Sequence, residues 1–584
     1  MDKQNLSIDK DSLKELRKKL SMVYTPTQIN NVLTKITDLV SEYKDCHALH
    51  RRGWVDETDV ILITYGDTII DGPRPTLDVL NDFLCANVAD VISNVHILPC
   101  FTWTSDDGFA VVDYRTISPN LGDWTKIKCL SENFGLMIDA VINHISRESS
   151  WFREFINDDP KYREYFYICD PSIDHSDVIR PRELPLLTSV ETVAGEKFVW
   201  TTFSEDQIDL NYSNPEVLIE ILDLLLFYAA NGSRFLRLDA IGFLWKKLGT
   251  SCMHLPETHA IIQVIRDVLN MAFPDVMIIT ETNVPHSENI SYFGDGTNEA
   301  HMVYQFPLPP LTLYAFQTGN AQPLTEWADS LEETSSQNTY FNFLASHDGI
   351  GVRPAEGILT REEVAAMSKR VKENGGKVSM RALSGGEKAP YEFNITFLDA
   401  MSSPDDSDQE RAMKFLAAQT ILLSVIGVPG IYIHSLLGSR NDYRGLEATG
   451  RNRSINREKL DFARLVSDLS KPKHLRSLVF AGFRQLLMIR RSRPAFHPNS
   501  QQRILFLDER VFSLVRAGKG DQIWSVINVS DQTINLAIQL KDIGFCAGSI
   551  LIDLISGNEF TDFKGVLRFD LLPYAKLWVV EKGV

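Results

Sequence analysis

Seven short apolar runs alternate with amphipathic helical stretches between residues 59 and 433: DVILITY (59–65), NVHILP (94–99), LMIDAVIN (136–143), RFLRLDA (234–240), VMIITET (276–282), YFNFLAS (340–346) and PGIYI (429–433). Runs of this length, bounded by turn residues, read as strands, and strand–helix repetition on this scale requires a parallel sheet, closed or doubly wound, with helices on its faces. All-helical and all-β folds are excluded as the core of the chain.

The segments around this repeat differ in pattern. From Ser12 to about Asp56 the chain reads as helices: Ser12 with Glu15, and Thr25-Pro26 with Gln28, fit capping boxes, and Ile29, Val32, Leu33, Ile36 and Val40 follow at helical spacing. Residues 1–57 are therefore expected to form an N-terminal helical extension. Roughly 90 residues separate the third and fourth runs, where a crossover needs about a dozen. Their turn-rich, aromatic content predicts a small inserted domain over 145–205, between barrel or sheet segments 58–144 and 206–500. From Gln501 the period changes to alternating short strands with polar turns, a C-terminal β-sandwich over 501–584.

Composition narrows the class. With 44% hydrophobic and 23% charged residues the chain can bury a large core. Fifty-nine Lys and Arg against 77 Asp and Glu give a formal charge of −18, which repels nucleic acid and anionic membrane. The first residues, MDKQNLSIDKDSLKEL, are charged throughout, unlike a secretory signal, so a cytoplasmic protein is expected. The stretch Phe415 to Ile433 contains Gln419, Gly427, Pro429 and Gly430 and reads as a buried helix, a turn and a strand, not a membrane span. Seven scattered cysteines form no C-x-x-C pair and are expected to be reduced. SGGEK (384–388) lacks phosphate-loop spacing and reads as a mobile loop.

Carboxylates stand at the ends of the apolar runs. In a parallel barrel the C-terminal strand ends carry the site. Alternation places Asp139, Val141 and Asn143 on one face of the third run, which leads into His144, and it lets Arg237 and Asp239 both point inward. A guanidinium beside Asp239 is expected to keep it ionised, as a nucleophile requires. Glu281 ends the next run, and His347-Asp348 follows the one after. One ionised and one protonated carboxylate flanking a sugar bond constitute the retaining glycosidase mechanism, with a third available to grip hydroxyls. Trp103 and Phe109, beside Asp106, could stack on a sugar face, although core packing is the commoner use of such rings.

DAVINH (139–144), RLDAIGF (237–243), ITETNV (279–284) and ASHDG (345–349) resemble, in order, the four signature segments of the α-amylase superfamily, and QIDLN (207–211) resembles a fifth. VILITYGD (60–67), SDDGFAVVDY (105–114), RPRELP (180–185), PYEFN (390–394), SRNDY (439–443) and NRSINR (452–457) resemble its sucrose phosphorylase subfamily. The helical N-terminus, VWTTF (199–203) and FLASHDGIG most resemble the glucosylglycerate phosphorylase branch. The resemblance implies a TIM (β/α)8 barrel, with Asp239 as nucleophile, Glu281 as acid/base and Asp348 as transition-state stabiliser. It implies that Asp106, His144, Arg237, His347 and Arg453 hold the glucosyl ring. Phe243 and Glu392, next to Tyr391, stand where sucrose phosphorylases have Tyr and Gln, so the acceptor side departs from fructose.

A phosphorylase must admit phosphate in preference to water, which calls for a cationic acceptor site, and Arg180 and Arg182 are its candidates. Glycerate is also an anion, so one cation could serve both. The expected reaction is phosphorolysis of 2-O-α-D-glucosylglycerate to α-D-glucose 1-phosphate and D-glycerate. Sucrose, sucrose 6-phosphate or glucosylglycerol phosphorolysis, hydrolysis and transglucosylation remain as alternatives. A binding role, like that of amylase-fold transporter subunits, is disfavoured by the complete catalytic set. The partners expected are the small-molecule α-glucoside and inorganic phosphate, with no cofactor, nucleic acid or membrane. Asn143 and Asp209 resemble calcium ligands of the hydrolases, whereas phosphorylases of this subfamily generally need no metal.

Overall fold

The computed structural model describes residues 9–44, 46, 53–182, 184–382 and 387–582. Eight parallel strands close a barrel in chain order: β1 (Ile61–Thr64), β2 (Asn94–Ile97), β3 (Gly135–Ala140), β4 (Ser233–Leu238), β5 (Met277–Thr280), β6 (Met302–Tyr304), β7 (Thr339–Asn342) and β8 (Val428–Tyr432). Pairing of Ile61 with Gly430 completes the ring. Every residue of these strands is buried, because helices cover the outside and side chains fill the interior, and this is why they read as continuous apolar runs. Strand β6 was not among the seven runs. It has three residues, flanked by buried His301 and Gln305, whose polarity breaks the hydrophobic signal.

The N-terminal helices α1 (Lys10–Leu20) and α2 (Pro26–Tyr43) pack on the barrel helices Pro215–Ala230 and Pro256–Ala272, with ion pairs from Lys19 to Asp267 (2.6 Å) and Lys35 to Glu216 (2.5 Å) at the seam. The Thr25/Gln28 box opens α2, the Thr25 N–H donating to Gln28 Oε1 at 3.0 Å. The other box is corrected: Asp9, not Ser12, caps α1, accepting from the Asp11 and Ser12 N–H groups at 3.0 and 2.9 Å. An upstream carboxylate is the stronger acceptor at a helix start. The helical stretch also stops at Tyr43 rather than near Asp56; residues 53–56 are irregular and 47–52 lie outside the described residues.

The insertion leaves and re-enters the barrel at one point. His144–Ser146 pairs antiparallel with Gln207–Asp209, stapling its base beside the end of β3. Beyond the staple, a hairpin (Leu187–Thr192, Gly195–Trp200) and a small core of Cys169, Val178, Leu186 and Trp200, closed by Cys252 from the loop after β4, hold the segment that carries Arg182. The C-terminal region has a six-stranded antiparallel sheet and a two-stranded one (Ile534–Gln539 with Val566–Leu571), sharing a core of Trp524, Val526 and Leu551 with Leu536, Ile538 and Leu567. The 415–433 stretch is the end of helix Asp408–Ser424 and strand β8, and among the described residues no helix is long and apolar enough to cross a membrane. Of the SGGEK loop, residues 384–386 lie outside the described residues.

Candidate active site

Loops leaving the C-terminal strand ends gather the polar residues. Asp239 and Glu281 stand one residue past β4 and β5, and Asp348 lies in the loop after β7. All three line one pocket with Asp106, His144, Arg237, His347, Arg453, Arg182, Tyr391 and Glu392. Two expected residues stand apart. Arg180 is exposed and does not line the pocket. Phe243 sits one layer back, edge-on to the wall residue Phe203 with ring centroids 5.6 Å apart.

Strand alternation delivers Arg237 and Asp239 as read: Arg237 Nη1 donates to Asp239 Oδ1 at 2.8 Å, Arg237 Nη2 is 3.9 Å from Glu281 Oε2, and Nε donates to the Tyr304 hydroxyl at 3.1 Å. The alternation does not continue to Asn143, because β3 ends at Ala140 and the Ile142 N–H turns back to the Ala140 carbonyl. Arg237 is also shared, since Nη1 donates to Asp139 as well. It therefore does not keep Asp239 ionised alone. Burial, with Glu281, Asp139 and Asp348 nearby, pushes Asp239 well above the usual carboxylate range against the pull of Arg237, and burial with Asp348 pushes Glu281 up too. Buried carboxylates coupled in this way oppose each other's ionisation. The Ala240 N–H donates to Glu281 Oε2 at 3.1 Å from a left-handed backbone, φ 49°.

Asp348 is the opposite case. Burial would raise it, but Arg453 at 2.6 Å, His347 and Arg457 outweigh burial and hold it ionised, well below the usual range. Asp106 is likewise held down to about 2, burial being outweighed by Arg182 and Arg453. Arg182 Nη2 donates to it at 2.8 Å and Gln207 Nε2 at 3.2 Å. Asp106 and Asp107 are both left-handed (φ 54° and 51°), strain of a kind that clusters at functional sites.

The two histidines are neutral. His144 Nδ1 accepts from Asn143 Nδ2 at 3.3 Å, leaving Nε2–H to donate to the Phe109 carbonyl at 2.9 Å, and burial lowers its proton affinity. Burial brings His347 down to about 3. Its ring stacks on Phe109 with centroids 5.0 Å apart, and its buried Nδ1 has no partner among the described residues. Phe109 is thus site wall as well as core, whereas Trp103 is 43% exposed and outside the pocket. Arg453 grips Glu392 through Nε and Nη2, at 3.1 and 2.6 Å.

Phe203, Gln207, Asn283 and Arg457 were not foreseen as individual site residues. The first three line the pocket, and Arg457 Nε donates to the His347 carbonyl at 2.7 Å. All four lie inside motifs quoted above, VWTTF, QIDLN, ITETNV and NRSINR, but a motif does not say which member faces inward.

The calcium position does not fit a metal. Lys246 Nζ lies 2.8 Å from Asp209 Oδ2, 3.0 Å from Asn143 Oδ1 and 3.5 Å from the Leu244 carbonyl, so an ammonium stands between the two residues that would ligate the ion.

Residues 91–367 match the family model described as "Alpha amylase, catalytic domain". A glucosylglycerate phosphorylase from Allomeiothermus silvanus is 47% identical over 553 residues, covering 94% of this chain and 95% of that protein. The chain belongs to the α-amylase family. A second glucosylglycerate phosphorylase, from Spirochaeta thermophila, is 48% identical over 82% of this chain and 81% of its own length. The crystal structure of sucrose 6F-phosphate phosphorylase from Thermoanaerobacter thermosaccharolyticum superposes with a TM-score of 0.71 at 25% identity, over 82% of this chain and 96% of that one.

Proposed function

We propose that the chain is a retaining phosphorylase of the cytoplasm that cleaves 2-O-α-D-glucosylglycerate with inorganic phosphate, giving α-D-glucose 1-phosphate and D-glycerate. The observation that carries this reading is the two carboxylates Asp239 and Glu281 placed beside one guanidinium, Arg237, at 2.8 and 3.9 Å, in a pocket whose wall also presents Arg182. Glucosylglycerate phosphorylases of 47 and 48% identity support the substrate. Seven cysteines, none in a disulfide, fit a reducing compartment.

In the first displacement Glu281 gives its proton to the glycosidic oxygen as the bond to the glucosyl carbon breaks, and Asp239 forms the ester bond with inversion. In the second, phosphate attacks the same carbon, the ester breaks, and Glu281 takes the phosphate proton, so the α configuration is restored. Asp348 and Asp106, both kept anionic, accept hydrogen bonds from sugar hydroxyls. Neutral His144 and His347, both in the pocket wall, contribute further polar contacts. Arg182 anchors the anion, phosphate in one direction and the glycerate carboxylate in the other. Glu392 is held by Arg453, a guanidinium that it shares with Asp348.

Running the reaction backward tests the reading. With α-glucose 1-phosphate as donor and glycerate, glycerol, fructose or fructose 6-phosphate as acceptor, phosphate release is expected to be fastest with glycerate. Faster release with any of the other three overturns the assignment.

A further inference from the structure

Three neighbouring barrel strands each carry one member of a fully buried polar chain: His96 on β2, Asp139 on β3 and Arg237 on β4, exposed by 1, 0 and 3%. Buried polar groups are costly unless paired, and these form a chain. His96 Nε2 lies 2.7 Å from Asp139 Oδ2, Asp139 Oδ1 accepts from Arg237 Nη1, and that same nitrogen donates to Asp239 at 2.8 Å. We infer that His96 is a positioning residue for Asp239, acting through Asp139 to ration the Arg237 guanidinium. The inference rests on Asp239 being the nucleophile.

The geometry supplies the reason. Burial keeps the His96 ring neutral, so its Nε2–H donates to the Asp139 carboxylate. With Oδ2 occupied by His96, Asp139 offers only Oδ1 to Arg237, and Nη1 keeps a second hydrogen for Asp239. Without that N–H, Asp139 turns both oxygens on the guanidinium, as carboxylates do when free to pair bidentately. Asp239 then loses its hydrogen bond and binds a proton more readily. The groups that act on Asp239 are Arg237, Glu281, Asp139 and Asp348; those on His96 are Asp139 and Arg237; Tyr304 holds Arg237 Nε. None of the others can take the place of the His96 donor at Asp139 Oδ2.

The test is the pH profile of kcat/KM for α-glucosyl fluoride, which reports formation of the glucosyl ester and depends on neither phosphate ionisation nor leaving-group protonation. His96→Leu is expected to lower it by about 10- to 100-fold, the scale of a misplaced catalytic group, and to move its acid limb to higher pH. His96→Gln, whose amide N–H reaches the Nε2 position, restores the limb. If leucine prevents folding, His96→Asn carries the same prediction, since its amide ends at the Nδ1 position, short of Asp139. A limb that stays in place or moves down in these variants, or a His96→Gln limb displaced as far as that of the leucine variant, overturns the inference. Full turnover by Asp239→Asn would instead refute the nucleophile assignment beneath it.

Discussion

Replacing Arg182 with alanine separates the phosphorylase reading from plain hydrolysis. Its guanidinium is pinned at the pocket wall by one ion pair, Nη2 to Asp106 at 2.8 Å, and lies 5.6 Å from the Phe203 ring centroid, with the side chain 32% exposed. The ion pair leaves its remaining N–H groups to present to an incoming anion. Arg182→Ala removes one or two charge-assisted hydrogen bonds of about 1.5–3 kcal/mol, which is roughly a 10- to 150-fold loss in kcat/KM for phosphate. Asp106 keeps Arg453 and Arg457 nearby, so the glucosyl side stays charged as before. Water needs no cation to bind. The glucosyl ester still forms and is hydrolysed, and the ratio of free glucose to glucose 1-phosphate rises. In the reverse direction kcat/KM for glycerate falls comparably while any activity toward neutral glycerol falls much less, which distinguishes lost charge recognition from loop damage. Quantifying both products by chromatography at fixed phosphate decides the matter. An unchanged product ratio, or equal falls for glycerate and glycerol, would place the anion site elsewhere.

Asp239→Asn is expected to reduce turnover below about a hundredth of wild type, since an amide does not form the ester. Glu281→Gln should cost far more with the natural alkoxide leaving group than with glucosyl fluoride, and equal losses on both substrates contradict its role as acid. Lys246→Met leaves Asp209 buried without its countercharge, a loss of about 3–5 kcal/mol that Asp209→Asn should largely recover in the double variant; urea midpoints measure it, and additive effects refute the pairing. His347 and His434 are both brought down to about 3 by burial, so the folded chain leaves them neutral while the unfolded chain protonates them below about 6.5. Their contribution to stability is full above that pH and declines as pH falls toward 3. An unfolding midpoint that stays level from pH 7 to pH 4 contradicts this.

What could be read in advance follows from range. Strand existence is local: a four-residue apolar run between turns identifies itself, and the same residues put Asp239 and Glu281 one step past a strand end. β6 was invisible because its three residues carry too little pattern between His301 and Gln305. Charge states are not local. Arg237 beside Asp239 suggested a simple ion pair, but the guanidinium is divided with Asp139, and the carboxylates that raise Asp239 come from three other strands or their loops. The same holds at the calcium position. Asn143 and Asp209 were recognisable as a ligand-like pair, whereas the ammonium between them comes from Lys246, in the loop after β4. Arg180 and Arg182, two residues apart, are both candidates in sequence, with Arg180 the weaker, and the fold of the insertion turns Arg182 to the pocket and leaves Arg180 in solvent.

The most direct test of the central claim, two displacements at one carbon through Asp239, is the anomeric configuration of the first-formed sugar phosphate. Proton NMR of a freshly started reaction with 2-O-α-glucosylglycerate and phosphate should show α-glucose 1-phosphate before any equilibration. Appearance of β-glucose 1-phosphate as the initial product would mean a single displacement and contradict the mechanism.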